Sequence, residues 1–203
     1  MVDDRDRPER YTQVERATLW LVPEGDDVDP FYVCRTVVTN LQYEEFDPGH
    51  ARSALTSDDT HPVVNVSWAE AKAYCAWYAE LSHKPFRLPS DPEWLHGCTA
   101  ERDTRFFWGR KADRADTYVV DADNFDGTLR LESRKANPFG LHDTIGTVWE
   151  WTDSGVIRGG SFRTARSRLS CDLNETPPDG AGRDDVGFRF VRALRFGPQR
   201  RDG

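Results

Sequence analysis

The sequence stretches that decide the fold are Gly146-Thr-Val-Trp-Glu-Trp151 and, near the C-terminus, Gly187-Phe-Arg-Phe190. The second belongs to the segment 186–194, in which two Phe residues alternate with Arg189. This alternation predicts a half-buried strand, because successive side chains of a strand point to opposite faces of its sheet.

Towards the N-terminus, three segments begin with the pattern of a capped helix. In each, a Ser or Thr is followed three residues later by Glu or Gln, so that both side chains can hydrogen-bond free backbone N–H groups. The pairs are Thr39 with Gln42, Ser67 with Glu70, and Ser90 with Glu93. Apolar residues at helical spacing extend the middle helix over about 68–82. Further strands are predicted over 18–22, 31–38 and 62–66.

The composition indicates a single domain with a substantial core. The chain has 203 residues, of which 37% are hydrophobic and 12% aromatic. We expect one domain over 17–195, between a charged N-terminal tail of residues 1–16 and a C-terminal tail of residues 196–203. The stretch 97–187 has few periodic runs, so we expect aromatic anchors, bound ions or both to hold it.

Charge and hydropathy narrow the choice of partners. A net charge of −8 disfavours nucleic acid as the main partner. No apolar run approaches the roughly 20 residues that span a bilayer, and the N-terminus does not read as a secretory signal. We therefore expect a cytoplasmic protein without a membrane partner. The four Cys residues are widely spaced, which argues against structural zinc and favours buried free thiols.

Further motifs complete an ordered set. They are His61-Pro-Val-Val-Asn-Val-Ser-Trp68, Phe86-Arg-Leu-Pro-Ser-Asp-Pro-Glu-Trp94, Phe107-Trp-Gly109, Asn137-Pro-Phe-Gly-Leu-His-Asp143 and Arg158-Gly-Gly-Ser-Phe162. Over about residues 18–194 this set resembles the formylglycine-generating enzyme (sulfatase-modifying factor) family. The resemblance implies an α+β, C-type-lectin-like fold, with small antiparallel sheets, two to three helices and much irregular chain stabilised by calcium.

The residues that carry the family's chemistry are replaced in this sequence. In formylglycine-generating enzymes, two Cys residues bind copper(I), three and eight residues after the Ser of the Gly-Gly-Ser motif. Those positions are Thr164 and Leu169 here, and Cys171 is interpreted as a lone thiol nearby. Related sulfoxide synthases bind iron through three His residues of a further domain, for which this chain has no matching set. We therefore expect neither copper nor iron.

The same resemblance implies two structural calcium sites, since calcium prefers carboxylate and carbonyl oxygens on irregular chain. One would use the carboxylates of Asp143 and Glu150 with the carbonyls of Gly146 and Val148. The alignment of the other site is weaker, because it depends on a loop of variable length. Its ligands would come from Asp116, Thr117, Asp123 and Phe125.

The segment from Phe162 to Asp185, called the C-terminal loop face below, is the leading candidate for a binding surface. It departs most from the enzyme pattern and is rich in polar and charged residues that suit binding of a protein or an anionic ligand. The candidate residues are Phe162, Arg163, Thr164, Arg166, Arg168, Asn174, Arg183 and Asp184, together with Trp149. The competing interpretation is a solvated surface with internal Arg–Asp pairs.

Three functional hypotheses follow. The leading one is a non-catalytic binding domain, one version of which is a variable protein diversified by a retroelement. The second is a metal-dependent oxidoreductase of the same superfamily with an altered active site. The third is a structural or effector-associated subunit. The fold by itself does not choose among them, because one scaffold carries several functions.

Overall fold

The computed structural model describes residues 11–14, 17–127 and 129–194, and the strands it contains form two small sheets. The first sheet has the strand order β1-β2-β3-β9-β4 and is antiparallel throughout. Its strands are β1 (Tyr11–Val14), β2 (Ala17–Val22), β3 (Phe31–Cys34), β4 (Phe86–Arg87) and β9 (Val191–Ala193).

The second sheet has the order β7-β6-β5-β8, and its strands are β5 (Trp149–Trp151), β6 (Ile157–Arg158), β7 (Asn174–Glu175) and β8 (Val186–Gly187). Strand β5 pairs with β8 in parallel, whereas the other neighbours in this sheet are antiparallel. The sequence motif around Glu150 therefore lies beside the motif around Arg189.

The three predicted helix starts are confirmed. Helices α1 (Asn40–Glu44), α2 (Trp68–Ser82) and α3 (Asp91–Thr99) each begin with a complete capping box, formed by the predicted Ser or Thr and the predicted Glu or Gln. A short fourth helix, α4, spans Ala115–Tyr118. These elements and the two small sheets give the α+β class that the sequence predicted.

Several predicted boundaries are wrong. The predicted tail 1–16 contains β1, which pairs with β2. The rest of that tail (residues 1–10, 15 and 16) and the predicted tail 196–203 lie outside the described residues. Segment 62–66 forms no strand, because Asn65 adopts a left-handed backbone conformation that interrupts the extended chain. The predicted strand 186–194 divides into β8 and β9, which belong to different sheets.

The core that positions the site is largely aromatic. Tyr74 and Tyr78 of α2 face the C-terminal Phe residues, with ring centroids 5.3 Å apart for Tyr74–Phe188 and 4.7 Å apart for Tyr78–Phe190. A second cluster holds the irregular stretch 97–187 through buried side chains from α3, α4 and the loops between them. Its members include Trp94, Cys98, Phe106, Phe107, Val119, Ile145, Leu169 and Cys171. The expected aromatic anchors are therefore present.

In the described ranges, no helix is both long and apolar enough to cross a membrane.

Candidate functional site

A buried ion pair lies where the two sheets and α3 meet. The guanidinium of Arg189 donates from Nε to Oε2 of Glu150 and from Nη2 to Oε1, both at 2.6 Å. Trp94 of α3 donates from its indole nitrogen to Oε2 of the same carboxylate at 2.8 Å. Arg189 and Glu150 are 2% and 0% exposed. Burial alone would lower the pKa of Arg189, but the charge and hydrogen bonds of Glu150 raise it above its usual value.

Arg189 also ties distant backbone segments together. It donates hydrogen bonds to the carbonyls of Cys34 at 3.2 Å and His142 at 3.0 Å. This role was not predicted from the sequence, because the alternation with two Phe residues indicates a solvent-facing Arg189 on a half-buried strand. The signal that could have found it is a charged residue enclosed by two Phe residues in an otherwise apolar run.

At the two positions where the family resemblance places copper-binding thiols, this chain has buried residues without thiols. Leu169 is fully buried and packs beside Gly160, where an added Cβ would overlap its side chain. Thr164 is 8% exposed, and its hydroxyl accepts a hydrogen bond from the backbone N–H of Ser161 at 2.9 Å. Both side chains therefore serve the local packing, and neither supplies a soft ligand for copper(I).

Cys171 is not alone, contrary to the interpretation from sequence. Its sulfur lies 2.8 Å from the sulfur of Cys98 on α3, and both residues are 1% exposed. Burial raises the pKa of the Cys98 thiol well above its usual value. The two residues are separated by 73 positions in the chain, so no local sequence signal announced their contact.

At the predicted calcium site around Asp143, the residues fit in part. The Asp143 carboxylate is 3% exposed and accepts hydrogen bonds from the backbone N–H of Glu132 at 2.9 Å and the hydroxyl of Thr147 at 3.4 Å. Burial raises its pKa, and these contacts include no cationic side chain. Such a buried carboxylate suits a metal ion. The carboxylate of Glu150, by contrast, is already engaged by Arg189 and Trp94, which corrects its expected role as a side-chain ligand.

The acids of the other predicted calcium site, Asp116 and Asp123, lie around the guanidinium of Arg166. Arg166 donates to Asp116 at 2.6 Å and to the fully buried Asp121 at 2.8 Å, and it lies 3.7 Å from Asp123. Of the two predicted carbonyl ligands, that of Thr117 accepts a hydrogen bond from the backbone N–H of Lys135, and Phe125 is held in place by the packing of its ring on that of Phe162. The guanidinium thus neutralises the acids that were expected to hold an ion, so this ligand set does not fit calcium.

The structure brings the candidates of the C-terminal loop face together only in part. Trp149, Phe162 and Thr164 are buried, which corrects their predicted role as exposed binding residues: Trp149 and Phe162 pack in hydrophobic clusters of the core. The exposed candidates include Arg168 and Asn174.

The other arginines of this face are paired internally. Arg163 forms a two-bond ion pair with Asp184, and Arg183 contacts Glu175 at 2.5 Å and Asp185 at 3.0 Å. Together with Arg166, three of the four predicted binding arginines therefore hold the loops in shape. This pairing is the competing interpretation that the sequence analysis left open.

His142 has a structural environment. Its ring contacts the guanidinium of Arg35 at 3.1 Å and the carbonyl of Arg134 at 3.0 Å. Within residues 11–14, 17–127 and 129–194, no three His, Cys, Asp or Glu side chains converge as a group that could hold a metal.

The two small sheets, the capped helices and the long irregular stretch define a C-type-lectin-like domain of the formylglycine-generating type. The family described as "Sulfatase-modifying factor enzyme 1-like domain" matches residues 22–194, and the chain belongs to this family. The resemblance stated from the motifs is therefore confirmed.

Two relatives and one solved structure illustrate the similarity. Formylglycine-generating enzyme of Mus musculus is 32% identical over 175 residues, covering 68% of this chain and 45% of the relative. Inactive C-alpha-formylglycine-generating enzyme 2 of Bos taurus is 30% identical over 169 residues, covering 70% and 54%. The chain thus spans about half the length of these curated relatives. Treponema denticola variable protein 1 shares the fold, with a TM-score of 0.73, 17% identity, and coverage of 91% of this chain and 98% of that one.

Proposed function

We propose that this domain acts by binding and does not generate formylglycine. The observation that carries the proposal is the replacement of both copper-binding positions by Thr164 and Leu169, which are buried and take part in packing. The buried ion pair of Arg189 and Glu150 nevertheless holds the scaffold together. The bovine relative named as inactive supports the proposal, because membership of the family does not by itself entail the activity.

A copper(I) titration against a colorimetric chelator tests whether the domain lacks the copper site that formylglycine generation requires. The wild type is expected to leave copper on the chelator, whereas the variant Thr164→Cys/Leu169→Cys, which restores both thiols, is expected to compete for it. The mouse enzyme serves as positive control. Stoichiometric copper on the wild type would contradict the proposal and would direct attention to Cys98 and Cys171.

The binding surface in this proposal is the C-terminal loop face. Its internal ion pairs fix loops that otherwise have little regular structure, and a preorganised surface loses less conformational entropy when a partner binds. Arg168 and Asn174 remain exposed on it, so a partner protein or anionic ligand would meet a rigid surface with one prominent guanidinium. A retroelement-diversified protein is one version of this function, and a nearly repeated template beside the gene would support it.

Affinity capture with matched variants tests the surface. Immobilised wild type is compared with Arg168→Ala/Asn174→Ala and with Lys72→Ala, a change at an exposed position on α2. A protein retained by the wild type and by Lys72→Ala but lost by the double variant supports this face. Equal retention by all three folded proteins would place the binding surface elsewhere.

A single structural calcium ion at Asp143 belongs to the same proposal. Its ligands would be the Asp143 carboxylate and the carbonyls of Gly146 and Val148. An ion that binds only the folded state at a hundredfold excess over its Kd adds about 2.7 kcal/mol to the free energy of unfolding. Chelation should therefore lower the Tm of calcium-loaded wild type, and Asp143→Asn should remove that response. An unchanged Tm of calcium-equilibrated wild type on chelation would refute the site.

A further inference from the structure

A cleft outside the C-terminal loop face has the shape and chemistry of a small-molecule site. It has a volume of about 530 Å³ and lies between the chain around residues 102–118 and the turn at residues 136–138. Its lining includes Arg102, Phe107, Trp108, Arg114 and Tyr118. Natural sites for small organic ligands typically fall in this range of volumes and combine apolar walls with a few polar groups.

Two rings of the aromatic wall of the cleft, those of Trp108 and Tyr118, belong to a continuous stack of three rings. The ring of Trp108 lies parallel to Phe106 on one face, at a centroid distance of 4.4 Å, and to Tyr118 on the other, at 5.0 Å. Arg105 covers the outer face of this stack at Phe106, and Arg114 lies over Tyr118. Because both faces of Trp108 are occupied internally, a ligand would meet ring edges held in fixed positions.

Arg105 anchors this wall to the rest of the domain. Its guanidinium donates to the backbone carbonyls of Ser167 and Leu169, so the ring stack is tied to the loop that follows the Gly-Gly-Ser motif. The cleft is therefore a built feature of the fold, since its wall is fixed by stacking and by hydrogen bonds.

The arginines of the cleft differ from the ion-paired arginines elsewhere in the molecule. Arg163, Arg166, Arg183 and Arg189 each form an ion pair with a carboxylate. Arg102 and Arg114, by contrast, have no carboxylate within ion-pair distance among the residues that the structure describes, and Arg114 donates only to the hydroxyl of Tyr118. In a chain with a net charge of −8, two such guanidiniums at one cleft form a local cationic site.

We propose that this cleft binds a small organic oxyanion with an aromatic or apolar body. A guanidinium offers paired, coplanar N–H donors that match the oxygens of a carboxylate, phosphate or sulfonate group. Arg102 and Arg114 supply these donors, and the edges of Trp108 and Tyr118 contact the body of the ligand. The site is separate from the C-terminal loop face, so each can be present or absent without the other.

Fluorescence titration with anilinonaphthalene sulfonate, an aromatic oxyanion, tests the proposal. The wild type is expected to bind it at one saturable site, and Arg102→Gln/Arg114→Gln to bind it at least about tenfold more weakly, because hydrogen bonds to charged groups are lost. The control Arg130→Gln, at an exposed arginine that neither lines the cleft nor belongs to the C-terminal loop face, is expected to bind like the wild type. Unchanged affinity in the folded double variant would overturn the proposal.

Two further arms use the wild type alone and do not depend on the folding of the variants. N-phenylnaphthylamine, which has a similar body without the sulfonate, is expected to bind at least about tenfold more weakly, and equal binding would overturn the proposal. Phenyl phosphate and benzoate are then used as competitors. Displacement by either supports the site and identifies the preferred oxyanion, whereas displacement by neither contradicts it.

Discussion

The buried pair of Arg189 and Glu150 gives the sharpest test of how this scaffold is held together. Replacing Arg189 by Met preserves much of its volume but leaves the Glu150 carboxylate with the indole N–H of Trp94 as its one donor among the described side chains. The carbonyls of Cys34 and His142 lose their donors in the same step. Removing one partner of a buried pair costs about 3–5 kcal/mol, because an uncompensated charge stays in a medium of low polarity.

That cost is a large part of the free energy of unfolding of a domain, which is about 5–15 kcal/mol. For a chain of this length, each kcal/mol changes the Tm by about 2–4 °C, so Arg189→Met should lower it by about 6–20 °C. Urea denaturation at neutral pH measures the free energy directly. The double variant Arg189→Met/Glu150→Met should be less destabilised than Arg189→Met, because it removes both charges together.

Arg163→Met is the matched control, since Arg163 also forms a two-bond pair but its side chain is 48% exposed. It should cost no more than about 1 kcal/mol, as exposed pairs do. If Arg189→Met cost as little as the control, or if the double variant were as unstable as the sum of both single changes, this account of the buried pair would be refuted.

Three other predictions concern backbone geometry, pH and thiols. Gly146→Ala should lower the free energy of unfolding more than Gly127→Ala does. Both changes place a Cβ on a backbone with positive φ, which costs about 1–2 kcal/mol, but at Gly146 the added Cβ would also overlap the carbonyl of Val120. Urea denaturation of both variants measures the difference. Burial alone would raise the pKa of Glu93, but hydrogen bonds from Arg87 and the capping serine lower it. The stability that the ionised Glu93 contributes is present above pH 4.5 and is lost as pH falls through the folded-state pKa. The difference in Tm between wild type and Glu93→Gln should therefore shrink on acidification. All four thiols are buried, and a bulky disulfide reagent should label them only after unfolding; rapid labelling of native protein would contradict their placement.

The parts of the fold that the sequence predicted best depend on local chemistry. Ser67 and Ser90 cap helices through residues three positions away, so their pattern is complete within one turn of chain. The prediction of a strand over residues 62–66 was wrong, and the reason is a contact between distant parts of the chain. Asn65 bends the chain and donates its backbone N–H to the carbonyl of Arg183, more than a hundred positions away.

The sequence predicted which residues replace the two thiols of the enzymes, but it did not predict the side-chain contacts of the site. Thr164 and Leu169 follow the Gly-Gly-Ser motif at fixed intervals, so their identity could be read directly from the chain. The partners of Arg166 and Cys171 come from segments that only the folded structure brings near. The surface that appeared rich in free arginines is therefore mostly a set of internal ion pairs.

The most direct test of the central claim is turnover of a peptide that carries a sulfatase-type Cys-x-Pro-x-Arg motif. The folded protein is incubated with the peptide, copper(I), a reductant and oxygen, with the mouse enzyme in parallel, and the peptide thiol and aldehyde are followed by mass spectrometry. With Thr164 and Leu169 in place of the two thiols, the account predicts no aldehyde from this chain. Repeated turnover of peptide thiol to aldehyde would contradict it.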